Sequence, residues 1–152
     1  MPKITPFLWF DSQAEEAMNY YVSIFKNAKV LSVHRAGGKV LTATFELEGQ
    51  RFMGLNGGPL FKFTEAVSLF VDCETQQEVD ELWEKLSAGG EKGKCGWLKD
   101  RYGLSWQIIP KVLLQLMSDP DPEKSKAVVQ AMMKMNKIVI EDLKRAYEGK
   151  AA

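Results

Sequence analysis

The strongest constraint on the fold is an internal repeat of a strand, an aspartate and a capped helix. Asp11 and Asp72 lie 61 residues apart (72 − 11 = 61), each between an apolar strand pattern and a helix start. Residues 12–15 (SQAE) and 75–78 (TQQE) both fit a capping box, in which the first side chain and the glutamate each bond a free backbone N–H. The repeat therefore predicts two copies of one small structural unit.

Each copy is predicted as a strand, a helix and three further strands. Alternation of apolar and polar residues between glycine-containing turns marks the strands. They lie at 4–10, 29–35, 40–48 and 51–56 in the first copy, and at 66–73, 91–94 and a hairpin over 94–110 in the second. The first strand is apolar on both faces, which predicts a central position. The fold class is α+β, a single domain over 1–152 with two β-α-β-β-β modules at about 3–58 and 64–110.

A helical tail is predicted over 111–148. It has a short helix at 112–117, a helix capped by Asp121 with Pro122 in its first turn, and a last helix at 141–147. Met132 and its neighbours at 133 and 135 have two readings, an adaptable binding surface or ordinary packing against the sheet or a second subunit. Packing is the favoured reading.

The closing hairpin holds two of the four tryptophans and a tight turn at residues 100–103 (DRYG). Alternation places Ser105 and Gln107 on one face of its second strand, and Leu104, Trp106 and Ile108 on the other. A polar pair on such an apolar strand suggests that one face packs on a helix and the other lines a cavity. This cavity is the functional hypothesis.

The composition excludes several classes of partner. Twenty basic residues balance twenty acidic ones in 152 residues, so no net charge favours nucleic acid or an anionic membrane. The apolar stretch at 4–10 is too short to span a bilayer. Cys73 and Cys95 are the only cysteines and His34 the only histidine. We expect reduced thiols, a soluble cytoplasmic protein and no metal site that needs two histidines.

The chain resembles the vicinal-oxygen-chelate superfamily of glyoxalase I, bleomycin-resistance proteins and extradiol dioxygenases. It is most similar to the PhnB-like branch, whose domain carries the label 3-demethylubiquinone-9 3-methyltransferase. The resemblance covers most of residues 3–147. It is carried by residues 6–10 (PFLWF), 15–17 (EEA), 20–21 (YY), 55–59 (LNGGP), 78–83 (EVDELW), 95–97 (CGW) and 100–107 (DRYGLSWQ).

The resemblance implies an open, curled mixed sheet whose concave side binds a small molecule, with helices on the convex side, and it implies a homodimer. Metal-dependent relatives hold a divalent ion with four strand residues, histidine and glutamate in the glyoxalase type. Carried over to this chain, these positions fall near Ile4 or Pro6, at Asn56, near Ala66 or Ser68, and at Gln107. None offers an imidazole, thiolate or carboxylate, so we expect no metal and no other cofactor.

The methyltransferase label meets a physical objection. The commonest fold that uses S-adenosylmethionine has a glycine-rich loop between a strand and a capped helix. Here Gly57 and Gly58 precede an apolar loop, and Gly89 and Gly90 end a helix. We therefore expect the label not to describe the activity.

Cys95 and Glu46 are weak candidates for catalysis. Lys92, Lys94 and Lys99 lie close to Cys95 in sequence and would favour a thiolate, although a buried inert thiol is the more ordinary reading. Glu46 lies on a polar strand face and could act as a base, or it could simply be solvated.

The candidate ligand-binding residues carry aromatic, amide, hydroxyl or thiol groups. Trp97 is expected on the cavity side, sharing a face with Cys95 and Lys99, whereas Trp106 is expected to pack against a helix. The full set is Asn56, Ser68, Cys95, Trp97 and Gln107. Asn56 and Gln107 are weighed equally as ligand contacts and as structural hydrogen-bonding residues.

The leading interpretation is a small-molecule-binding protein of the PhnB-like type, a homodimer in a bacterial cytoplasm, that binds neither nucleic acid nor membranes. One alternative is an enzyme of the isomerase, lyase or dioxygenase type acting on a small organic substrate. The other is a sequestering or resistance protein that binds a compound without changing it.

Overall fold

The computed structural model describes residues 3–149, and the chain divides into two compact units, the first ending at Phe63 and the second starting at Thr64. Each unit has its own mixed four-stranded sheet, which confirms the α+β class and the repeated β-α-β-β-β plan. The prediction of a single domain over 1–152 stays a prediction. None of the helices in the described range has the length and hydropathy that a membrane crossing requires.

Unit 1 contains β1 (Phe7–Phe10), α1 (Ala14–Ile24), β2 (Ala28–Ala36), β3 (Lys39–Leu47) and β4 (Gln50–Asn56). Its sheet has the order β1-β4-β3-β2, with β1 parallel to β4 and the other pairs antiparallel. The helix covers one face. Beneath it, the rings of Tyr21 and Phe45 stack with centroids 6.1 Å apart, and those of Phe45 and Phe52 with centroids 5.5 Å apart.

The central position predicted for the first strand is wrong within this sheet, because β1 is an edge strand of four residues. Leu8 and Phe10 are buried, but Phe7 on the other face is 49% exposed. The indole of Trp9 is covered by a loop instead of a strand. Its Nε1 donates to the Gly58 carbonyl at 2.9 Å, and its ring meets Phe61 edge-on.

The capping box predicted at Ser12 is also wrong. Gln13 is the N-cap residue of α1 and makes no side-chain capping bond. The first helical N–H, on Ala14, instead donates to Asn56 Oδ1 at 2.8 Å. The cap therefore comes from the end of β4, 42 residues away, because that strand ends beside the first turn of the helix.

Unit 2 contains β5 (Ser68–Cys73), α2 (Gln76–Ser87), β6 (Glu91–Lys92), β7 (Trp97–Lys99) and β8 (Ser105–Pro110). The order is β5-β8-β7-β6, again with only the first pair parallel. The cap predicted at Thr75 is confirmed, since its side chain accepts from the N–H of Glu78. The Glu78 carboxylate accepts from the N–H of Glu74 at 2.9 Å.

Helix α2 packs on β5, β7 and β8 through an apolar stripe. Leu98, Trp106 and Ile108 are each at most 2% exposed, and alternation places them on the face that α2 covers. The opposite face of this sheet, here called the distal face, carries Ser68 and Phe70 of β5, Trp97 and Lys99 of β7, and Ser105 and Gln107 of β8.

The predicted helical tail is present as α3 (Lys111–Met117), α4 (Pro122–Met133) and α5 (Ile140–Tyr147). Asp121 caps α4 as predicted, accepting from the N–H of Glu123. The three helices enclose a separate apolar cluster of Ile109, Leu113, Val128, Ile138 and Leu143. Met132 and Met135 pack against this cluster, which supports the packing interpretation for both, whereas Met133 is 63% exposed.

A buried carboxylate organises the hairpin between β7 and β8. Asp100 is 2% exposed, and its Oδ1 accepts from the backbone N–H groups of Tyr102 and Leu104 at 2.9 and 3.1 Å. Its Oδ2 accepts from the Trp106 indole at 2.9 Å. The predicted turn is confirmed, because the Gly103 N–H donates to the Asp100 carbonyl. One side chain thus fixes both the turn and a tryptophan.

We expect Asp100→Ala to lower the free energy of unfolding by about 3 kcal/mol, because it leaves several buried donors unpaired. Asp72→Ala is the matched control. The Asp72 carboxylate forms only an exposed ion pair with Lys111, so its loss costs less than about 1 kcal/mol. Urea unfolding of the three proteins measures both changes, and equal effects of the two substitutions would contradict the role of Asp100.

Candidate functional site

The distal face of unit 2 carries an aromatic, an amide and a second aromatic side chain side by side. Phe70 is in register with Gln107, and Gln107 is in register with Trp97. Phe70 is 47% exposed, while Gln107 and Trp97 are half-buried. Directly opposed residues on neighbouring strands have Cβ atoms about 5 Å apart. The row therefore presents a hydrogen-bonding amide between two rings.

Ser68 and Gln107 are brought together as a polar pair. Gln107 Nε2 donates to Ser68 Oγ at 2.9 Å, which leaves the second amide N–H and the carbonyl Oε1 of Gln107 for another partner. These are the two residues that fall at, or near, neighbouring metal positions of the metal-dependent relatives. A hydroxyl and an amide, both uncharged, stand there in this chain.

Charged side chains border this face. On this face, Lys99 Nζ lies 2.6 Å from Glu65 Oε1. Lys92 is in register with Leu98 and so points to the side of α2, where its Nζ lies 3.2 Å from Glu84 Oε1. The hydrogen bond and charge of Lys99 lower the pKa of Glu65, and the same contact raises the pKa of Lys99. Both pairs are exposed, so each stabilises the fold only weakly.

Cys95 does not lie on a strand. Its φ of 58° and the φ of 83° at Gly96 place both residues in a left-handed turn, and β7 begins only at Trp97. Alternation along β7 therefore does not carry the predicted shared face back to Cys95. Two of the lysines expected near its sulfur, Lys92 and Lys99, contact carboxylates instead.

Asn56 and Glu46 lie on opposite faces of the sheet in unit 1. Asn56 Oδ1 accepts from the N–H of Ala14, and its Nδ2 donates to the Val40 carbonyl at 3.1 Å. This is the structural role that sequence reasoning weighed against ligand binding. Glu46 is half-buried and in register with Lys29 and Arg51, and no described contact connects it with Asn56.

Trp106 is buried at 2% exposure and donates to Asp100, in agreement with the packing role predicted for it. Sequence reasoning did not single out Phe70 or Glu65. Phe70 could have been found by alternation from Ser68, two residues earlier on the same strand. Glu65 precedes its strand, and only the folded chain brings it to Lys99.

Cys73 is fully buried at the end of β5. Burial, together with the negative charge of Glu78, raises the pKa of the Cys73 thiol to about 12. A thiol of this kind is protonated at neutral pH and is a poor nucleophile. Cys73 is therefore a core residue and not a candidate nucleophile.

The residues of this chain do not fit the metal site of the metal-dependent relatives. In the range 3–149, no three histidine, cysteine, aspartate or glutamate side chains come together in a way that could hold a metal ion. Ser68 and Gln107, the two of these positions in unit 2, supply only neutral oxygen and nitrogen atoms. Such donors alone make a poor site for a transition metal.

Comparison with known proteins identifies one family. Residues 2–109 match the family model described as 3-demethylubiquinone-9 3-methyltransferase. Comparison with curated protein sequences gives no match.

Solved structures extend this comparison. The PhnB protein from Bacillus cereus is 40% identical, with a TM-score of 0.68 over 72% of this chain and 99% of its own. Protein PA1353 from Pseudomonas aeruginosa is 18% identical, with a TM-score of 0.60 over 73% and 98% of the two chains. The fosfomycin resistance protein FosX from Listeria monocytogenes, solved with Mn(II) and sulfate, is also 18% identical, with a TM-score of 0.51 over 70% and 88%. The last two show a shared fold only.

We expect alkylation to separate the two thiols. A pKa of about 12 for Cys73, against an ordinary value of 9.0, lowers its thiolate fraction at pH 8 by about 1000-fold. Iodoacetamide should modify Cys95 in the native protein and Cys73 only after unfolding, as peptide mass spectrometry would show. Rapid labelling of Cys73 in the native protein would contradict this expectation.

Because the folded-state pKa of Cys73 is raised, the contribution of this thiol to stability is complete below pH 9 and is lost as the pH rises towards 12.

Proposed function

The chain belongs to the family described as 3-demethylubiquinone-9 3-methyltransferase, the PhnB-like branch of the vicinal-oxygen-chelate superfamily, and from this we propose that it binds a small organic molecule on the distal face of unit 2. The observation that carries the proposal is the row Phe70, Gln107 and Trp97. An amide between two rings suits a planar ligand with a donor and an acceptor, because the rings contact its faces or edges and the amide fixes its orientation.

The uncharged side chains of Ser68 and Gln107 favour ligand binding over metal-assisted catalysis. Lewis-acid catalysis needs ligands that hold the ion, and Ser68 and Gln107 bond to each other instead. An amide that recognises a ligand without titrating is consistent with a protein that binds or sequesters its ligand.

Methyl transfer with S-adenosylmethionine is not part of the proposal, although the family description names it. The connections that precede α1 and α2, at residues 11–13 and 74–75, contain no glycine. Gly57 and Gly58 lead into the loop before β5, and Gly89 and Gly90 lie between α2 and β6. The usual glycine-rich loop of a nucleotide site therefore has no counterpart at these helix starts.

The proposed protein is a cytoplasmic homodimer. Two free cysteines suit a reducing compartment. Large apolar side chains exposed in the single chain are available for contact with a second copy. They include Leu31, Leu41, Leu60, Phe61, Val67 and Met133.

Sedimentation equilibrium tests the dimer. At micromolar concentration we expect a mass near 34 kDa, twice the chain mass of 17.2 kDa (2 × 17.2 = 34.4). A mass of 17 kDa across the concentration range would refute self-association.

Benzamide is the probe for the binding proposal, because its planar ring carries a carboxamide that pairs with the free N–H and Oε1 of Gln107. We expect Gln107→Ala to weaken benzamide binding about tenfold, the effect of losing one or two hydrogen bonds in a partly buried site. Isothermal titration calorimetry measures the change.

Gln77→Ala is the matched control for this experiment. Gln77 lies on the exposed surface of α2 in the same unit, where its amide contacts only Glu81. Its loss should leave benzamide affinity unchanged. The proposal fails if the two variants bind benzamide equally, or if the wild-type protein does not bind it at millimolar concentration.

A further inference from the structure

A pocket of about 140 Å³ opens within unit 2, beside the row of Phe70, Gln107 and Trp97, which is here called the polar row. Trp97, Leu98 and Gly93 line it together with Ser105, and the ion pair of Lys99 and Glu65 lies at its border. A cavity of roughly 150 Å³ lined by apolar groups is large enough for one benzene ring. The pocket therefore has the size of a single six-membered ring.

Ser105 gives this pocket a specific polar group. The residue is only 1% exposed, and its Oγ has no hydrogen-bonding partner among the residues described. Its register neighbour Ser68 does not supply one, since the described bond of the Ser68 hydroxyl is to Gln107 and Ser105 Oγ remains unpartnered. A buried hydroxyl without a partner costs about 1–3 kcal/mol, so a folding requirement alone does not account for a serine here.

The charges at the pocket do not select an ion. Lys99 contacts Glu65, and Lys92 contacts Glu84, so each ammonium group already has a carboxylate partner. Glu91, which also lines the pocket, lies on β6 in register with Lys99. A charged ligand would have to compete with these pairs, whereas a neutral one would not.

From these observations we infer that the pocket binds an uncharged monocyclic ring bearing one hydroxyl group, as in phenol, with the ring against Trp97 and the hydroxyl bonded to Ser105 Oγ. The inference rests on the proposed function, because Trp97 belongs to both the polar row and the pocket. It extends that function by naming a second subsite and the chemical class that the subsite accepts.

Phenol and benzene are the test probes, since they differ only in the hydroxyl group. In the wild-type protein we expect phenol to bind about tenfold more tightly than benzene. NMR titrations measure both affinities through the shifts of assigned pocket resonances. Ser105→Ala should abolish this preference without unfolding the chain, because it removes a buried polar group that has no partner. Trp97→Ala should weaken the binding of both phenol and benzene.

Ser87→Ala is the control, since Ser87 is another buried serine of unit 2, at 6% exposure on α2. It should keep the preference for phenol. Equal binding of phenol and benzene to the wild-type protein would overturn the inference, as would a preference that survives Ser105→Ala.

Benzamide binding to Gln107→Ala and the phenol preference of Ser105→Ala together distinguish a failure of the inference from a failure of the proposed function. If benzamide binding requires Gln107 but the phenol preference does not depend on Ser105, the pocket inference fails and the polar row stands. If the phenol preference depends on Ser105 while benzamide does not bind, the proposed function fails at Gln107 and the pocket alone remains.

Discussion

The geometry of unit 2 depends on the burial of one carboxylate. Asp100 accepts hydrogen bonds from the turn and from the Trp106 indole, so the turn and the helix-facing side of β8 are fixed together. Once Trp106 points towards α2, alternation directs Gln107 to the other face. A shift of one residue in this hairpin would exchange the two faces. The register of the polar row is therefore set by a residue that is not part of it.

In unit 1, a different side chain fixes the helix to the sheet. Asn56, at the end of β4, accepts from the first N–H of α1 and donates to the Val40 carbonyl at the start of β3. The same side chain thus ties the helix to two strands. The repeated modules share a topology, but α1 is capped across the sheet, whereas α2 is capped locally by Thr75. The duplication conserves the plan and not the individual contacts.

Local patterns predicted most of the fold. Alternation and helical spacing identified the strands and helices in their order along the chain, and capping motifs identified the caps at Thr75 and Asp121. All of these signals involve residues that are close in sequence. The cap at Ser12 was predicted wrongly because the competing acceptor, Asn56, is distant in sequence. Cys95 was assigned to a strand face because the left-handed conformations at 95 and 96 are not visible in an alternating pattern. The site was predicted as Asn56, Ser68, Cys95, Trp97 and Gln107, and alternation placed Ser105 on the same strand face as Gln107. The pocket beside Ser105, and the missing partner of its hydroxyl, are visible only in the folded hairpin.

The left-handed turn at Cys95 and Gly96 has a consequence for the order in which the chain acquires structure. Their backbone N–H groups donate to the carbonyls of Met135 and Asn136, 40 residues further along (135 − 95 = 40; 136 − 96 = 40). Hairpin contacts between β7 and β8 close only a short loop, whereas this clamp must close a long one and bears the larger entropic cost. We therefore expect the turn leading into Trp97 to reach its final conformation only when the segment between α4 and α5 docks, so that the helical tail supports the distal face of unit 2 late in folding.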